Sequence, residues 1–331
     1  MSTGPAPAHT PEAEAAARRL GLRLGRPNLE EFADTVLALA RADRNVVVVT
    51  SDSRGSGKLT PFGQALPRQI VEVGIAEQNL VGVAAGLAAA GKTVFAVSPA
   101  CFLTARALEQ IKNDVAYADH PVVLVGISAG VSYGALGSTH HSLHDFAALR
   151  AIHNLAVAAP ADNAEARSLV RAAAAARRPA YLRFGKAALY DLPGAAPEEP
   201  GRARPVREGG DLAFIATGET VIHALLAADL LAEGGMQCRV LSVPSLKPLD
   251  RTAIVEAARA CGSVIVAEEH SVHGGLGEAC AALLAEAGVA ARFHQAGIPD
   301  HYTWTGSQAD IFRHYGISRE GLAAAARHLK R

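Results

Sequence analysis

The chain has 331 residues, half of them hydrophobic and 19% charged, enough for a sizeable core in roughly two domains of ordinary size. Lys plus Arg and Asp plus Glu stand at 32 each, so no basic field is available to hold nucleic acid or an anionic membrane surface. No apolar run approaches the roughly 18 residues of a membrane span. The four cysteines, Cys101, Cys238, Cys261 and Cys280, are widely spaced with no C-x-x-C, which fits buried, inert thiols in a reducing compartment. The cytoplasm is the expected location.

Residues 1–27, rich in Ala and Pro, hold no apolar signal-peptide core and predict a flexible arm with at most one short helix. Asn28 caps a helix whose Phe32, Val36, Leu37 and Ala40 recur at helical spacing. The run Val46–Val49 reads as a buried parallel strand, leaving through the polar, Gly-rich loop Thr50–Lys58. Strand, helix, strand and helix follow at 69–73, 77–90, 93–97 and 103–117. Strands at 122–127 and 155–158, a helix at 163–176 and a strand at 180–184 complete an alternating α/β domain over 28–192. Pro193–Pro205 is Pro- and Gly-rich, and 193–208 is set as a linker. A smaller α/β domain occupies 209–331, with strands at 212–216, 238–242 and 263–268 and helices near 220–233, 251–260 and 277–287. The predicted class is α/β, with a parallel sheet in the first domain.

The most informative stretch is Val73-Gly74-Ile75-Ala76-Glu77-Gln78-Asn79, continuing through Gly82 and Gly86. It sets one carboxylate, Glu77, at the start of a Gly- and Ala-rich helix. A carboxylate desolvated there needs a specific hydrogen-bonding partner. Alone, Glu77 is equally a first-turn residue that favours the helix dipole.

The segment resembles the pyrimidine-binding domain of the thiamine-diphosphate enzymes of the transketolase and deoxyxylulose-phosphate synthase group. The resemblance continues through Val94–Phe102, Arg106–Gln110, Gly137-Ser138-Thr139-His140-His141, Ala159–Asp162 and Tyr181-Leu182-Arg183-Phe184. It extends through Lys247–Asp250 and Glu268–Gly277, in family order from about Asn28 to the C-terminus. It implies a pyrimidine-binding domain followed by a transketolase C-terminal-like domain. By resemblance, Glu77 hydrogen-bonds the pyrimidine of thiamine diphosphate and activates it, and Phe102 stacks on that ring. Asp52 and Arg106 fall to the cofactor side. His140 contacts the donor carbonyl, Arg183 grips a substrate phosphate, and Ser56 contacts the same phosphate, with Lys58 a weaker addition.

Two departures bear on the substrate. The family pattern Gly-x-Asp-Gly-x-Thr-His has Leu136 at its Asp position, and Ser128 stands where a family His is expected. A site built to hydrogen-bond a hydroxyl rejects ligands lacking it, and an apolar site loses that discrimination. The resemblance therefore implies an unusual sugar, with Ser128 and Leu136 among the substrate-lining residues. His140-His141-Ser142-Leu143-His144 invites a zinc reading, but the Glu of H-E-x-x-H is absent and Gly137-Ser138 predicts a loop, so no metal ligand is assigned. His270 and His273, beside Gly274-Gly275, read as a structural turn or an interface.

The Gly-Asp-Gly motif that, with a later Asn, ligates Mg²⁺ in this family is missing. Gly210-Asp211 is followed by Leu212, and no Asn follows Asn163. The resemblance thus implies the C-terminal (β) subunit of a split, two-gene transketolase. Its N-terminal (α) partner would supply the Mg²⁺ and diphosphate ligands, in an α2β2 heterotetramer with a β–β contact. The expected reaction is two-carbon ketol transfer from a ketose, often phosphorylated, to an aldehyde-type acceptor. The alternatives are the β subunit of a 2-oxoacid dehydrogenase E1 component and a non-enzymatic scaffold that retains the fold.

Overall fold

The computed structural model describes residues 9–197, 199 and 201–330. The strands of the first half, β-branched runs at the centre of the sheet, are β1 Leu24–Pro27, β2 Val46–Thr50, β3 Ile70–Glu72, β4 Thr93–Pro99, β5 Val122–Ile127, β6 Ala156–Ala158, β7 Ala180–Arg183 and β8 Ala188–Tyr190. The second half adds β9 Arg204–Arg207, β10 Leu212–Ala216, β11 Cys238–Ser242, β12 Ser245–Lys247, β13 Ser263–Ser271 and β14 Arg292–Ile298. Strands β2, β4 and β5 are buried along their whole length, because helices cover both faces of the sheet.

The larger sheet runs β12-β6-β7-β5-β4-β2-β3, parallel except for β12, and the smaller runs β14-β13-β10-β11-β9, parallel except for β9. Right-handed β-α-β crossovers of this kind put loops at the carboxyl ends of the strands, where ligands of open α/β sheets gather. On one face of the larger sheet Phe32 packs against Phe95 and Phe184, with ring centroids 6.1 and 5.4 Å apart. On the other face the core does not stop at the domain boundary. Val47, Val94 and Leu124 belong to the same buried cluster as Ile215, Leu241 and Val264 of the second sheet.

Three expectations change. The segment before Asn28 is not a free arm over its described part. A helix, Pro11–Arg19, is capped by Thr10 and buries Ala13, Ala16 and Ala17 against the helix Thr220–Ala232 of the second domain. Strand β1 then pairs antiparallel with β8 of the first domain. Small alanines let the two helices approach closely, which the sequence disguised as low-complexity composition. The linker is also shorter than 193–208, since Arg204–Arg207 pairs with β11 as an edge strand. The expected helix 103–117 is broken. A helix Ala100–Arg106 gives way at Ala107 (φ −102°, ψ 19°), and Ile111–Tyr117 winds as a wider π-type turn.

The seam between domains is built from charge as well as apolar surface. Arg204 is buried, with its guanidinium 2.8 Å from Asp162 and 3.4 Å from Glu165, while Ser242 donates to Glu165 at 3.0 Å. Burial and the neighbouring Asp162 push the Glu165 carboxyl up to about 7. β12, from the second half of the chain, completes the first domain's sheet beside β6.

If the N-terminal helix is a docked strap, Ala16→Glu should release it, because a carboxylate in a filled alanine contact is both too large and desolvated. Limited proteolysis should then cut between Leu20 and Asn28 about tenfold faster or more, a change of roughly 1.4 kcal/mol in local docking. Unchanged cleavage would mean that the strap is held by β1 alone.

Candidate active site

The residues singled out in the sequence gather along the carboxyl edge of the larger sheet. Glu77 opens the helix Glu77–Ala89, whose preceding residue Ala76 offers no side-chain cap. Its side chain is only 4% exposed, and both carboxylate oxygens accept from Arg106 Nη1, at 3.1 and 3.0 Å. The Arg106 guanidinium lies over the Phe102 ring, 4.5 Å from its centroid. Phe102 meets His140 edge-on at 5.3 Å, and His140 meets Tyr133 in the same way at 5.3 Å. Lys186 Nζ then sits over the Tyr133 ring at 4.3 Å. A continuous line of side chains therefore runs from a buried carboxylate to an exposed ammonium.

The loop that carries His140 is shaped by its glycines and by one histidine. Gly130 and Ser142 bridge antiparallel, the Ser142 N–H donating to Gly130 O at 2.8 Å. His141 is buried, with Nε2 2.9 Å from Gly134 O at the turn Gly134–Leu136. Burial, set against that carbonyl contact, holds the His141 ring below its usual range and so neutral. His140 itself is half-buried, with Nδ1 3.0 Å from Thr139 Oγ1. His144 turns instead toward Thr104 Oγ1, 3.2 Å away, so the two histidines of the zinc reading serve different partners.

Arg183, which the resemblance assigns to a substrate phosphate, has a side chain only 6% exposed, with Nε and Nη2 held by protein acceptors. Nε donates to Asp145 at 2.8 Å, Nη2 donates to Ser142 O and Glu269 O at 3.1 and 2.8 Å, and the cation stacks on Phe146 at 4.5 Å. Burial alone would raise the Asp145 carboxyl, but the Arg183 guanidinium and the hydrogen bonds from Tyr181 and Arg183 outweigh it and hold it low. His270 is stacked on Phe146, and burial brings its ring down to about 4. His270 is thus a neutral packing residue, whereas His273 is exposed beside Glu278 at 3.5 Å.

The remaining expected residues divide. Ser128 ends β5 with φ +53°, fully buried, and its hydroxyl has no well-aligned partner. Leu136 is 55% exposed on the turn of the His140 loop. Asp52 and Ser56 are exposed on the loop after β2, where the Asp52 N–H donates to Glu72 at 2.6 Å. Neither is hydrogen-bonded to the Glu77–Arg106 pair among the described residues. Lys58 is paired with Glu30 at 3.1 Å. Arg106, expected on the cofactor side, here neutralises Glu77 across the face of Phe102.

Two residues were missed. Tyr133 forms the centre of the line, and burial raises its phenol above the usual range while Ser128, alongside, opposes that. Lys186 lies three residues past Arg183, where the strand has ended and the side chain is free to reach the edge. Its ammonium is held below the ordinary lysine range, first by partial burial and then by Lys58. An aromatic inside a Gly-rich loop and a cation just beyond a strand end were the signals available.

The described residues contain no helix long and apolar enough to cross a membrane, and no group of three or more His, Cys, Asp or Glu placed to hold a metal ion. Comparison with known proteins places both halves. The transketolase pyrimidine-binding domain matches residues 29–191, and the transketolase C-terminal domain matches 201–322. The chain is 46% identical to one of the subunits of the apulose-4-phosphate transketolase of Phocaeicola vulgatus, over 90% of this chain and 95% of that one. It is 34% identical to the 6-deoxy-6-sulfo-D-fructose transketolase subunit SqwH of Clostridium sp. strain MSTE9, over 90% of this chain and 92% of the other. Among solved structures, a split gene transketolase described as an inactive beta4 tetramer superposes with a TM-score of 0.83 at 34% identity, covering 92% of this chain and 99% of that one. The chain belongs to the transketolase family.

Proposed function

We propose that this chain is the pyrimidine-side subunit of a split transketolase that moves a two-carbon ketol unit from a ketose to an aldehyde-type acceptor. The observation that carries the reading is the convergence of Glu77, Phe102 and His140 on one sheet edge, in a chain without the family's Mg²⁺ and diphosphate motif. The transketolase family depends on thiamine diphosphate. The residues present suit its pyrimidine end: a desolvated carboxylate whose partner, Arg106, is half exposed and able to swing aside, beside an aromatic wall. They do not suit its diphosphate. The Mg²⁺ and diphosphate ligands are therefore assigned to a diphosphate-domain α subunit, consistent with relatives named as subunits. The β–β contact of the α2β2 assembly finds support in a structural neighbour described as a tetramer of β chains.

When bound, the cofactor would supply an acidic thiazolium carbon whose deprotonated form is nucleophilic toward the donor carbonyl. Glu77 holds the proton on the pyrimidine nitrogen, a role that needs a carboxylate rather than an amide. Phe102 and the buried strand ends behind it keep water from the reacting carbon. His140 is placed to donate to the donor's carbonyl oxygen as negative charge gathers there. Lys186, with Lys58 near it and Ser56 on the adjoining loop, takes over the phosphate contact first assigned to Arg183. The two relatives from Phocaeicola and Clostridium are named for apulose 4-phosphate and a sulfonated fructose, which supports a branched or modified sugar as substrate. Both are named transketolase subunits, so the 2-oxoacid dehydrogenase reading is not favoured.

The test is co-expression with a diphosphate-domain subunit, followed by a screen of ketose donors against several aldehydes. Micromolar, Mg²⁺-dependent binding of thiamine diphosphate by this chain alone would contradict the split site. In the complex, Glu77→Gln should abolish hydrogen–deuterium exchange at the thiazolium carbon while leaving assembly intact; retained exchange would reduce Glu77 to a helix-end residue.

Arg183 and Lys186 separate by two measurements. Arg183→Met leaves Asp145 and Glu269 buried without their cation and should cost about 3–5 kcal/mol of stability in the chain alone. Lys186→Met should leave the unfolding temperature within a degree or two and raise KM for phosphorylated substrates about tenfold or more, a loss of one charge-assisted hydrogen bond. The reverse pattern would restore Arg183 to the substrate.

A further inference from the structure

Beneath the His140 loop the second domain inserts an arrangement of acids that the reaction does not use. Glu269, in β13, accepts from the Val131 N–H at 2.9 Å, so a side chain of the second domain fixes the backbone of the loop in the first. Its Oε1 also accepts from Gln308 Nε2 at 2.8 Å. The same Gln308 nitrogen donates to Glu219 Oε2 at 2.6 Å. One amide group is therefore clasped by two carboxyl groups. Both are buried, and both stand where the first domain has glycines, because a Cβ at Gly130 would strike Glu269 and one at Gly185 would strike Glu219.

The charges do not balance if every acid is ionised. Asp145, Glu219 and Glu269 face a single guanidinium, Arg183, while His270 behind Asp145 is neutral. Asp145 holds Arg183 at 2.8 Å and receives Tyr181 Oη–H at 2.7 Å, so it is the anion of the group. Glu269 lies 3.7 Å from Arg183 and takes two N–H donors. Among the described residues, Glu219 has Gln308 alone as a hydrogen-bond donor, and Glu269 Oε2 has no hydrogen-bond partner. Two adjacent buried carboxylates cannot both ionise with one amide between them.

We infer that Glu219 carries a proton at neutral pH and acts as a positioning residue, the far end of a Glu219–Gln308–Glu269 latch that holds loop 130–144 in place. Burial, followed by repulsion from Glu269, raises the Glu219 carboxyl, in keeping with that assignment. Loss of the proton to solvent sets two like charges against one amide, and the latch loosens at its Val131 contact. The loop's importance for transfer rests on the proposed role of His140; the latch itself does not.

A carboxyl that holds its proton more tightly folded than unfolded contributes stability that fades as pH rises from the ordinary carboxylate range toward its folded value. Glu219→Gln is a neutral isostere that keeps the acceptor for Gln308. In the chain alone, it should leave the unfolding temperature at neutral pH unchanged or higher, and remove about one proton from the slope of stability against pH. Glu269→Gln, which strips Arg183 of a counter-charge, should lower the unfolding temperature at neutral pH. Hydrogen exchange at the Val131 amide, corrected for base catalysis, should quicken about tenfold at alkaline pH in the unsubstituted chain and stay slow in Glu219→Gln. A Glu219→Gln chain as destabilised at neutral pH as Glu269→Gln, an unchanged slope, or equal Val131 exchange would each overturn the inference. None of these readings depends on ketol transfer, so a failure of the proposed reaction leaves the test intact.

Discussion

The Arg183 guanidinium is the point on which the molecule turns. It leaves the end of β7, enters the seam between the domains, and bonds to Asp145, to the carbonyl of Ser142 and to the carbonyl of Glu269. A buried cation without partners would cost several kcal/mol, so each of these groups must stay where it is for the fold to hold. Two of them stand just past His140, at the end of its loop, and the third belongs to the other domain. One side chain therefore ties sheet, loop and second domain together. Its stacking on Phe146, which also carries His270, adds packing that a lysine could not provide.

At the sheet edge the electrostatics run differently. Glu77 is satisfied here by an arginine from its own chain, half exposed, rather than by buried donors. Arg106 can be rehydrated when it moves, because it is half exposed, but the buried Glu77 then needs another donor in its place. The exposed Leu136 and Ile75, at 55% and 76%, lie on the loops flanking this edge.

Much of this was legible in the sequence because it depends on local chemistry. The valine runs of β2 and β5 and the alternation of strand and helix follow from burial and period alone. Glu77 stood out because a carboxylate at the head of an Ala- and Gly-rich helix lacks local company. The seam contacts of Arg183 were hidden for the opposite reason. Its partners, Asp145 and Glu269, lie 38 and 86 residues away, and no local pattern distinguishes a cation that enters a seam from one that faces a ligand. Tyr133 and Lys186 were overlooked on the same ground, since their meeting over a ring joins two loops. The docking of the N-terminal helix escaped notice because its contact is made by alanines, which composition cannot tell from filler.

Strand β12 also bears on how such a chain can be inherited. Because β12 comes from the second half of the sequence and closes the first half's sheet, while the N-terminal strap crosses in the other direction, the two domains are laced at both ends. A recombination event that exchanged the C-terminal domain for a relative's at the linker would carry away an edge strand and leave a strap without its seat. The two domains should therefore travel as one heritable unit.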